Sequence, residues 1–168
     1  MFTGKVLKLG DNINTDDIIA GQYLRTDDPS IWKTHIFETL DPQLSIVILQ
    51  KKFIIAGKNF GCGSSREQAV VAIKSCGIVA IIAHSFGRIF YRNCINNGVL
   101  AITFSDLQEI DVNTEDVISL DPNGSFFYTS SNKKTPLVCP PPFAMQIYQA
   151  GGLIDYYQQH ELKGFEQQ

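Results

Sequence analysis

Residues 57–67, Gly-Lys-Asn-Phe-Gly-Cys-Gly-Ser-Ser-Arg-Glu, gather more chemistry than any other stretch of this 168-residue chain. Two hydroxyls, Ser64 and Ser65, stand beside the guanidinium of Arg66, directly after closely spaced glycines. Gly61 and Gly63 permit positive φ and let the backbone approach a ligand. An apolar segment, 53–56, precedes the run, and 68–74 reads as a helix after it, so the glycines fall at a strand-to-helix turn. The first free N–H groups of such a helix, with its dipole, favour an anion at the turn. Arg66 adds a planar fork that matches a carboxylate or a phosphate.

The type of anion follows from what the run lacks. A phosphate loop needs a lysine directly before Ser64, where Gly63 stands, and a dinucleotide fingerprint needs a third glycine where Arg66 stands. A carboxylate fits better, because a hydroxyl beside an arginine can do proton chemistry on it. A structural reading competes: Ser64 as helix cap with Glu67 three residues on has the spacing of a capping box.

Two further stretches join the glycine run in a recognisable order. One is Gly10-Asp11-Asn12-Ile13-Asn14-Thr15-Asp16-Asp17-Ile18-Ile19; the other is Ser85-Phe86-Gly87-Arg88-Ile89-Phe90-Tyr91-Arg92-Asn93. With Asn59-Phe60 and Gly61-Cys62-Gly63-Ser64-Ser65-Arg66-Glu67, they resemble the swivelling domain of the aconitase superfamily, in the free-standing form of the isopropylmalate isomerase-type small subunits. The likeness is strongest over residues 4–104.

The resemblance implies an α/β fold, a three-layer β/β/α swivelling domain, spanning 1–168 as a single domain. It implies a hydro-lyase that isomerises a 2-hydroxy acid by dehydration and rehydration. Ser64 would be the base, with Asp16 reaching the site to orient the serine and its surroundings. Ser65, Arg66 and Gly63 would bind substrate. The family's Lewis acid is a [4Fe–4S] cluster; it is expected on a large catalytic subunit that this chain must meet, with no cofactor bound by this chain. In the family, the segment after Tyr23-Leu24 covers the substrate's variable arm, and here it reads Arg25-Thr26. Arg25 would suit a carboxylate on that arm, whereas an apolar residue would suit an isopropyl group; the competing reading is a solvated surface arginine. Homoaconitate-type substrates, small methylated malates and a non-catalytic anion-binding module therefore stand beside the isopropylmalate reading.

Composition agrees with a soluble enzyme component. Hydrophobic residues make up 44% and charged residues 18%, ordinary for a globular chain long enough to bury a core. A net charge of −3 with no basic run gives no general attraction to nucleic acid or to an anionic membrane. The opening residues lack the apolar core of a signal peptide, and no apolar run approaches the ~20 residues of a membrane span, so a cytoplasmic location is expected. Cys62, Cys76, Cys94 and Cys139 match no zinc or iron–sulfur spacing and read as reduced thiols. Cys62 sits inside the turn, near a helix start and Arg66, where a thiol can become more acidic, but no histidine lies nearby in sequence to act as its base.

The remaining elements must carry these residues. Strands are expected at 4–9, 45–49, 53–56, 78–83, 99–103, 117–120 and 125–128; helices are expected at 31–40, 68–75, 85–97 and 143–150. A helical turn is expected at 107–110, a helical continuation at 153–157, and a frayed polar end over 158–168. The acidic loop 11–17 lacks calcium-loop spacing and reads as a turn whose Asp residues bond backbone. Strand, helix, strand, helix, strand over 53–103 argues for a parallel unit.

Overall fold

The computed structural model describes residues 1–104 and 110–165, the side chains of 161–165 excepted. Its strands are β1 (Phe2–Lys8), β2 (Phe53–Ala56), β3 (Ala80–Ala83), β4 (Leu100–Thr103), β5 (Val117–Leu120), β6 (Phe126–Thr129) and β7 (Lys134–Pro136). Its helices are α1 (Thr15–Ile18), α2 (Pro29–His35), α3 (Leu44–Val47), α4 (Glu67–Ser75), α5 (Arg88–Asn96), α6 (Pro142–Ala150) and α7 (Leu153–Phe165), with 3₁₀ turns at Gly21–Arg25 and Ile48–Gln50.

The strands join in the order β4-β3-β2-β1-β5-β6-β7. β1 through β4 pair in parallel, whereas β5, β6 and β7 continue antiparallel from the other side of β1. β1 serves both halves: its Phe2–Lys5 end pairs with β5 and its Val6–Lys8 end with β2. The chain after β7 returns to β4, where Val138 N–H donates to the Thr103 carbonyl at 2.8 Å. The sheet thereby curls into two facing layers.

Strand alternation then defines two cores. Phe53 and Ile55, Ala80 and Ile82, Leu100 and Ile102 point between the layers, against Ile118, Leu120 and Phe127 of the antiparallel half. Ile54 and Ala56, Ile81 and Ala83, and Ala101 point the other way, onto Ala69, Val70 and Ile73 of α4 and Phe90 and Cys94 of α5. The result is the β/β/α arrangement expected. The central strands are buried on both faces, so they read as unbroken apolar runs. Burying each isoleucine, leucine or phenylalanine among them contributes roughly 1.5–3 kcal/mol.

Several elements differ from expectation. Residues 45–49 form α3 and part of a 3₁₀ turn, not a strand. β2 is already paired on both sides, and only one face of this run is covered: Ile48 is fully buried, while Ile46 is 60% and Leu49 47% exposed. α2 stops at His35 because Phe37, wholly buried, turns the chain with φ 58°. α5 starts at Arg88, since Ser85 and Gly87 are spent on contacts to the glycine turn. α7 runs on to Phe165 instead of fraying after Tyr157. The turn expected at 107–110 lies largely outside the described residues.

One ionic knot ties β1 and the residues just before β2 to the segment before β5. The buried Lys51 ammonium and Lys5 both meet the Glu115 carboxylate, the latter at 3.0 Å. The hydrogen bond from Lys51, then that from Lys5, holds the Glu115 carboxyl below its ordinary range. A carboxyl depressed on folding stabilises above its unfolded pKa and loses that contribution as pH falls through the folded one. Glu115→Gln is accordingly expected to flatten the acid side of the stability-versus-pH curve; an unchanged acid slope in urea titrations would contradict the knot.

A second test concerns a close approach of backbone to a ring at the glycine turn. Gly61 has φ +71°, and a Cβ there would collide with the Phe90 ring; Gly77 has φ +84° with nothing within 4 Å. Gly77→Ala should cost about 1 kcal/mol for the left-handed backbone alone, and Gly61→Ala about 3 kcal/mol once overpacking is added. Denaturant midpoints of the two variants check this, and equal losses would count against the packed joint.

Candidate active site

The three sequence motifs follow the carboxyl ends of three adjacent parallel strands: 10–19 after β1, 57–66 after β2 and 85–87 after β3. Neighbouring loops at such an edge are brought together by the strand pairing beneath them. Backbone bonds then lace the first two. Gly57 N–H donates to Gly10 O (3.1 Å), Asn12 N–H to Lys58 O (2.7 Å), Gly61 N–H to Ile13 O (2.7 Å) and Thr15 N–H to Cys62 O (2.9 Å). On the other flank, Asn59 N–H donates to Ser85 Oγ at 2.9 Å, Phe60 N–H to Ser85 O at 2.9 Å and Gly87 N–H to Phe60 O at 2.9 Å. Asn59 Nδ2 also donates to Asn12 Oδ1 at 2.8 Å. The glycine turn is therefore held from both sides.

Two of the three carboxylates of the acidic loop, Asp11 and Asp17, accept from backbone, as the turn reading expected, while Asp16 pairs with Arg66. Asp11 Oδ1 accepts from Lys58 N–H at 2.7 Å. Asn14 and Asp17 form a reciprocal capping box at the start of α1, with both bonds at 2.9 Å. Among the described residues, no group of three His, Cys, Asp or Glu side chains could hold a metal. Cys76 and Cys94 are buried apart from Cys62 in the turn, and burial pushes the Cys76 thiol up to about 11. These thiols do not fit a [4Fe–4S] cluster.

Ser64 lies exposed at the tip of the turn, and Ser65 and Gly63 beside it are exposed as well. Neither serine caps α4. The cap position is Arg66, with no side-chain bond, and Glu67 accepts instead from Asn97 Nδ2 at 2.9 Å. Ser64 is engaged elsewhere: its Oγ is 3.1 Å from Thr15 Oγ1, and its carbonyl accepts from Arg66 N–H at 2.9 Å. Among the described residues, no acceptor within the chain takes the N–H groups of Gly63, Ser64 or Ser65. With the start of α4, they leave partial positive charge at the turn.

Arg66 is three-quarters buried and pairs through Nη1 with the Asp16 carboxylate; the same nitrogen lies 3.5 Å from the Ile19 carbonyl. Asp16 thus reaches the site through the arginine. The residue that touches Ser64 is its neighbour Thr15, which sequence reading passed over because the carboxylates of 11–17 dominate that loop. Its signal was a β-branched hydroxyl in the Asn14-Thr15-Asp16 run. Arg88 joins Gly61, Cys62, Gly63 and Ser64 around a small cleft of about 160 Å³, while Asn93 makes no contact there among the described residues. Arg25 ends the 3₁₀ turn Gly21–Arg25 with its side chain exposed, and among the described residues no hydrogen bond or ion pair joins it to the Ser64 turn. Gly21, at the start of that same turn, abuts the Arg66 guanidinium: a Cβ there would lie 3.7 Å from Nη2.

A larger cleft of about 700 Å³ lies at the same edge of the sheet, lined by Lys8, Asp11, His84, Phe104 and Lys133 among others. It does not include Ser64. Among the described residues, no helix is long and apolar enough to cross a membrane.

Comparison with known proteins identifies the family. The aconitase C-terminal domain family matches residues 9–107, which contain all three motifs. The methanogen homoaconitase small subunit of Methanocaldococcus jannaschii is 42% identical over 169 residues, covering 96% of this chain and 94% of that one. The 3-isopropylmalate dehydratase small subunit of Wolinella succinogenes is 42% identical over 154 residues, covering 91% of each. A crystal structure of a 3-isopropylmalate dehydratase chain from Methanocaldococcus jannaschii superposes with a TM-score of 0.91 at 39% identity, covering 99% of this chain and 98% of that one. The chain belongs to the aconitase C-terminal domain family, among small subunits of the 3-isopropylmalate dehydratase and homoaconitase type.

Proposed function

We propose that this chain supplies the base and the carboxylate clamp of a hydro-lyase that converts 2-isopropylmalate to 3-isopropylmalate in leucine biosynthesis. The supporting observation is the convergence of Ser64, Arg66 and unengaged backbone N–H groups on one exposed turn. Dehydration of a hydroxy acid requires a base for the proton alpha to a carboxylate. A serine hydroxyl is a weak acid, so the base must be its alkoxide, held by donors already in place. The N–H groups of the turn and the positive end of α4 are such donors. Arg66 is fixed by Asp16 on one nitrogen and offers its other donors to a substrate carboxylate, with the Ser65 hydroxyl and the Gly63 backbone alongside.

The departing hydroxyl needs a Lewis acid. In this reading a [4Fe–4S] cluster on a large subunit provides it, since the thiols here do not fit one, and the derivation for this chain stops at the proton and the carboxylate. An exposed serine also implies that the partner closes the site and excludes water.

A second reading rests on Arg25 and on the similarity to a homoaconitase small subunit. Arg25 ends the short turn that Gly21 begins near the Arg66 guanidinium, and its side chain is exposed, so in this reading its head is available to a substrate arm. A carboxylate arm would pair with it, whereas an isopropyl arm would gain nothing from it.

The test is co-expression with the large subunit encoded nearest, followed by anaerobic assay. Ser64→Ala should lower kcat by about 10²–10⁴-fold with KM little changed, the signature of a lost general base. Turnover within tenfold of the parent enzyme would make the turn an anion dock without chemistry. Arg66→Lys should instead raise KM for every substrate, because a point charge cannot replace the fork.

Substrate choice has its own outcome. Arg25→Ala should leave isopropylmalate turnover unaltered and lower kcat/KM for an acidic-arm substrate. A parent enzyme that prefers the acidic arm, and loses that preference in Arg25→Ala, would replace the isopropylmalate reading with the homoaconitase one.

A further inference from the structure

Thr15 is an unusual residue for the edge of an open site. It is 1% exposed, although Ser64, which it touches, is exposed. Its position is fixed independently of that contact: its N–H donates to Cys62 O at 2.9 Å, and its carbonyl accepts from Ile19 N–H at 3.1 Å. The capping box of Asn14 and Asp17 holds the turn of helix that it begins. β-branching leaves its side chain few rotamers.

A count of protons makes the contact more than packing. Thr15 Oγ1 lies 3.2 Å from the Ser64 carbonyl and 3.1 Å from Ser64 Oγ. A threonine hydroxyl has one proton and two lone pairs, and a carbonyl only accepts. While Ser64 keeps its proton, both contacts are satisfied one way: Thr15 donates to the carbonyl, and Ser64 Oγ–H donates to Thr15. Once Ser64 is an alkoxide, that arrangement would oppose lone pair to lone pair. The Thr15 proton must then turn to Ser64 Oγ. The carbonyl it leaves is not stranded, because Arg66 N–H already donates to it at 2.9 Å.

We propose that Thr15 is a positioning residue whose hydroxyl proton swings between the Ser64 carbonyl and Ser64 Oγ, stabilising the serine in its charged form. This deepens the Ser64-base reading and rests on it. During proton abstraction the substrate C–H bond breaks and Ser64 Oγ–H forms. The C–H electron pair becomes part of the new C=C bond as hydroxide departs. Thr15 gives up no proton; its O–H rotates back to the carbonyl. In hydration the same rotation runs in reverse. A bond to a charged acceptor is among the stronger hydrogen bonds, so its loss should be visible in rate and in pH dependence.

The experiment uses the assembled two-subunit enzyme with Thr15→Val, Thr15→Ser and Thr15→Cys, and Ser64→Ala as reference. Thr15→Val is expected to lower kcat roughly 10–100-fold and to move the ascending limb of the kcat/KM profile, which reports Ser64 ionisation, about one pH unit higher. KM should stay within about twofold, since the substrate carboxylate contacts are untouched. Thr15→Ser should restore both rate and profile; Thr15→Cys, a weak donor, should fall between. Should Thr15→Val fail to assemble, the graded series from threonine through cysteine carries the same test.

Four results would overturn the proposal. An unmoved pH limb with a reduced rate would make Thr15 purely structural. A Thr15→Ser variant as impaired as Thr15→Val would do the same. Full loss of turnover in Ser64→Ala with a parental profile in Thr15→Val would leave the serine base standing and remove only the threonine. If Ser64→Ala itself keeps its turnover, the base reading fails and takes this one with it.

Discussion

The working end of this chain depends on one close approach. Gly61 donates its N–H to Ile13 O at 2.7 Å while its Cα rests against the Phe90 ring, with no room for a side chain between. That contact brings the loop after β1 and the start of α5 against the glycine turn at once. Gly87 shows the same crowding from the other side, where a Cβ would press on the Gly61 carbonyl at 2.5 Å. Three segments distant in sequence thus share one small volume. Ser64 and Arg66 have defined neighbours only because that volume is filled by backbone.

The sheet beneath makes the approach stiff. β1, β2 and β3 are hydrogen-bonded side by side in parallel, so their carboxyl ends lie a strand spacing apart and their loops emerge together. Both faces of these strands are packed, one against the antiparallel layer and one against α4 and α5. A shift of one loop would have to move a strand buried on both sides. The same double burial explains why this half was legible in the sequence. Phe53–Ala56 and Ala80–Ala83 are unbroken apolar runs, which only a doubly covered strand or a buried helix would show, and their length decides for the strand.

Where a run is covered on one side only, composition misleads. Residues 45–49 are as β-branched as β2, yet they fold as helical turns, because the sheet offers no free place beside β2 and one helical face suffices to bury Ile48. Tertiary context overrides propensity there. The site shows the same division. Ser64, Arg66 and Asp16 were legible because their chemistry is unusual in its setting. Thr15 was not, since its meaning lies in a contact 49 residues away, and no local pattern carries that information. The capping-box spacing of Ser64 and Glu67 was real but idle: Ser64 turned to Thr15, and Glu67 to Asn97.

The ion pair between Asp16 and Arg66 is best understood as geometry. Asp16 is largely exposed, and an exposed pair contributes little to stability. Its effect is to spend one nitrogen of the guanidinium and so fix the direction of the rest. Thr15, the adjacent residue, does the corresponding thing for Ser64. One rigid turn of chain, Asn14 to Ile18, therefore sets the orientation of both the cation and the hydroxyl, and its own capping box involves neither. A hydroxyl and a guanidinium oriented by the same turn have a defined placement relative to each other. What the free chain lacks is enclosure. Gly63, Ser64 and Ser65 face outward with donors unengaged, and electrostatic stabilisation of an alkoxide is weak in water and strong when water is excluded. On the proposed reading the turn is thus preorganised in direction but not in dielectric, and a Ser64 alkoxide is expected only when a second protein surface closes over it.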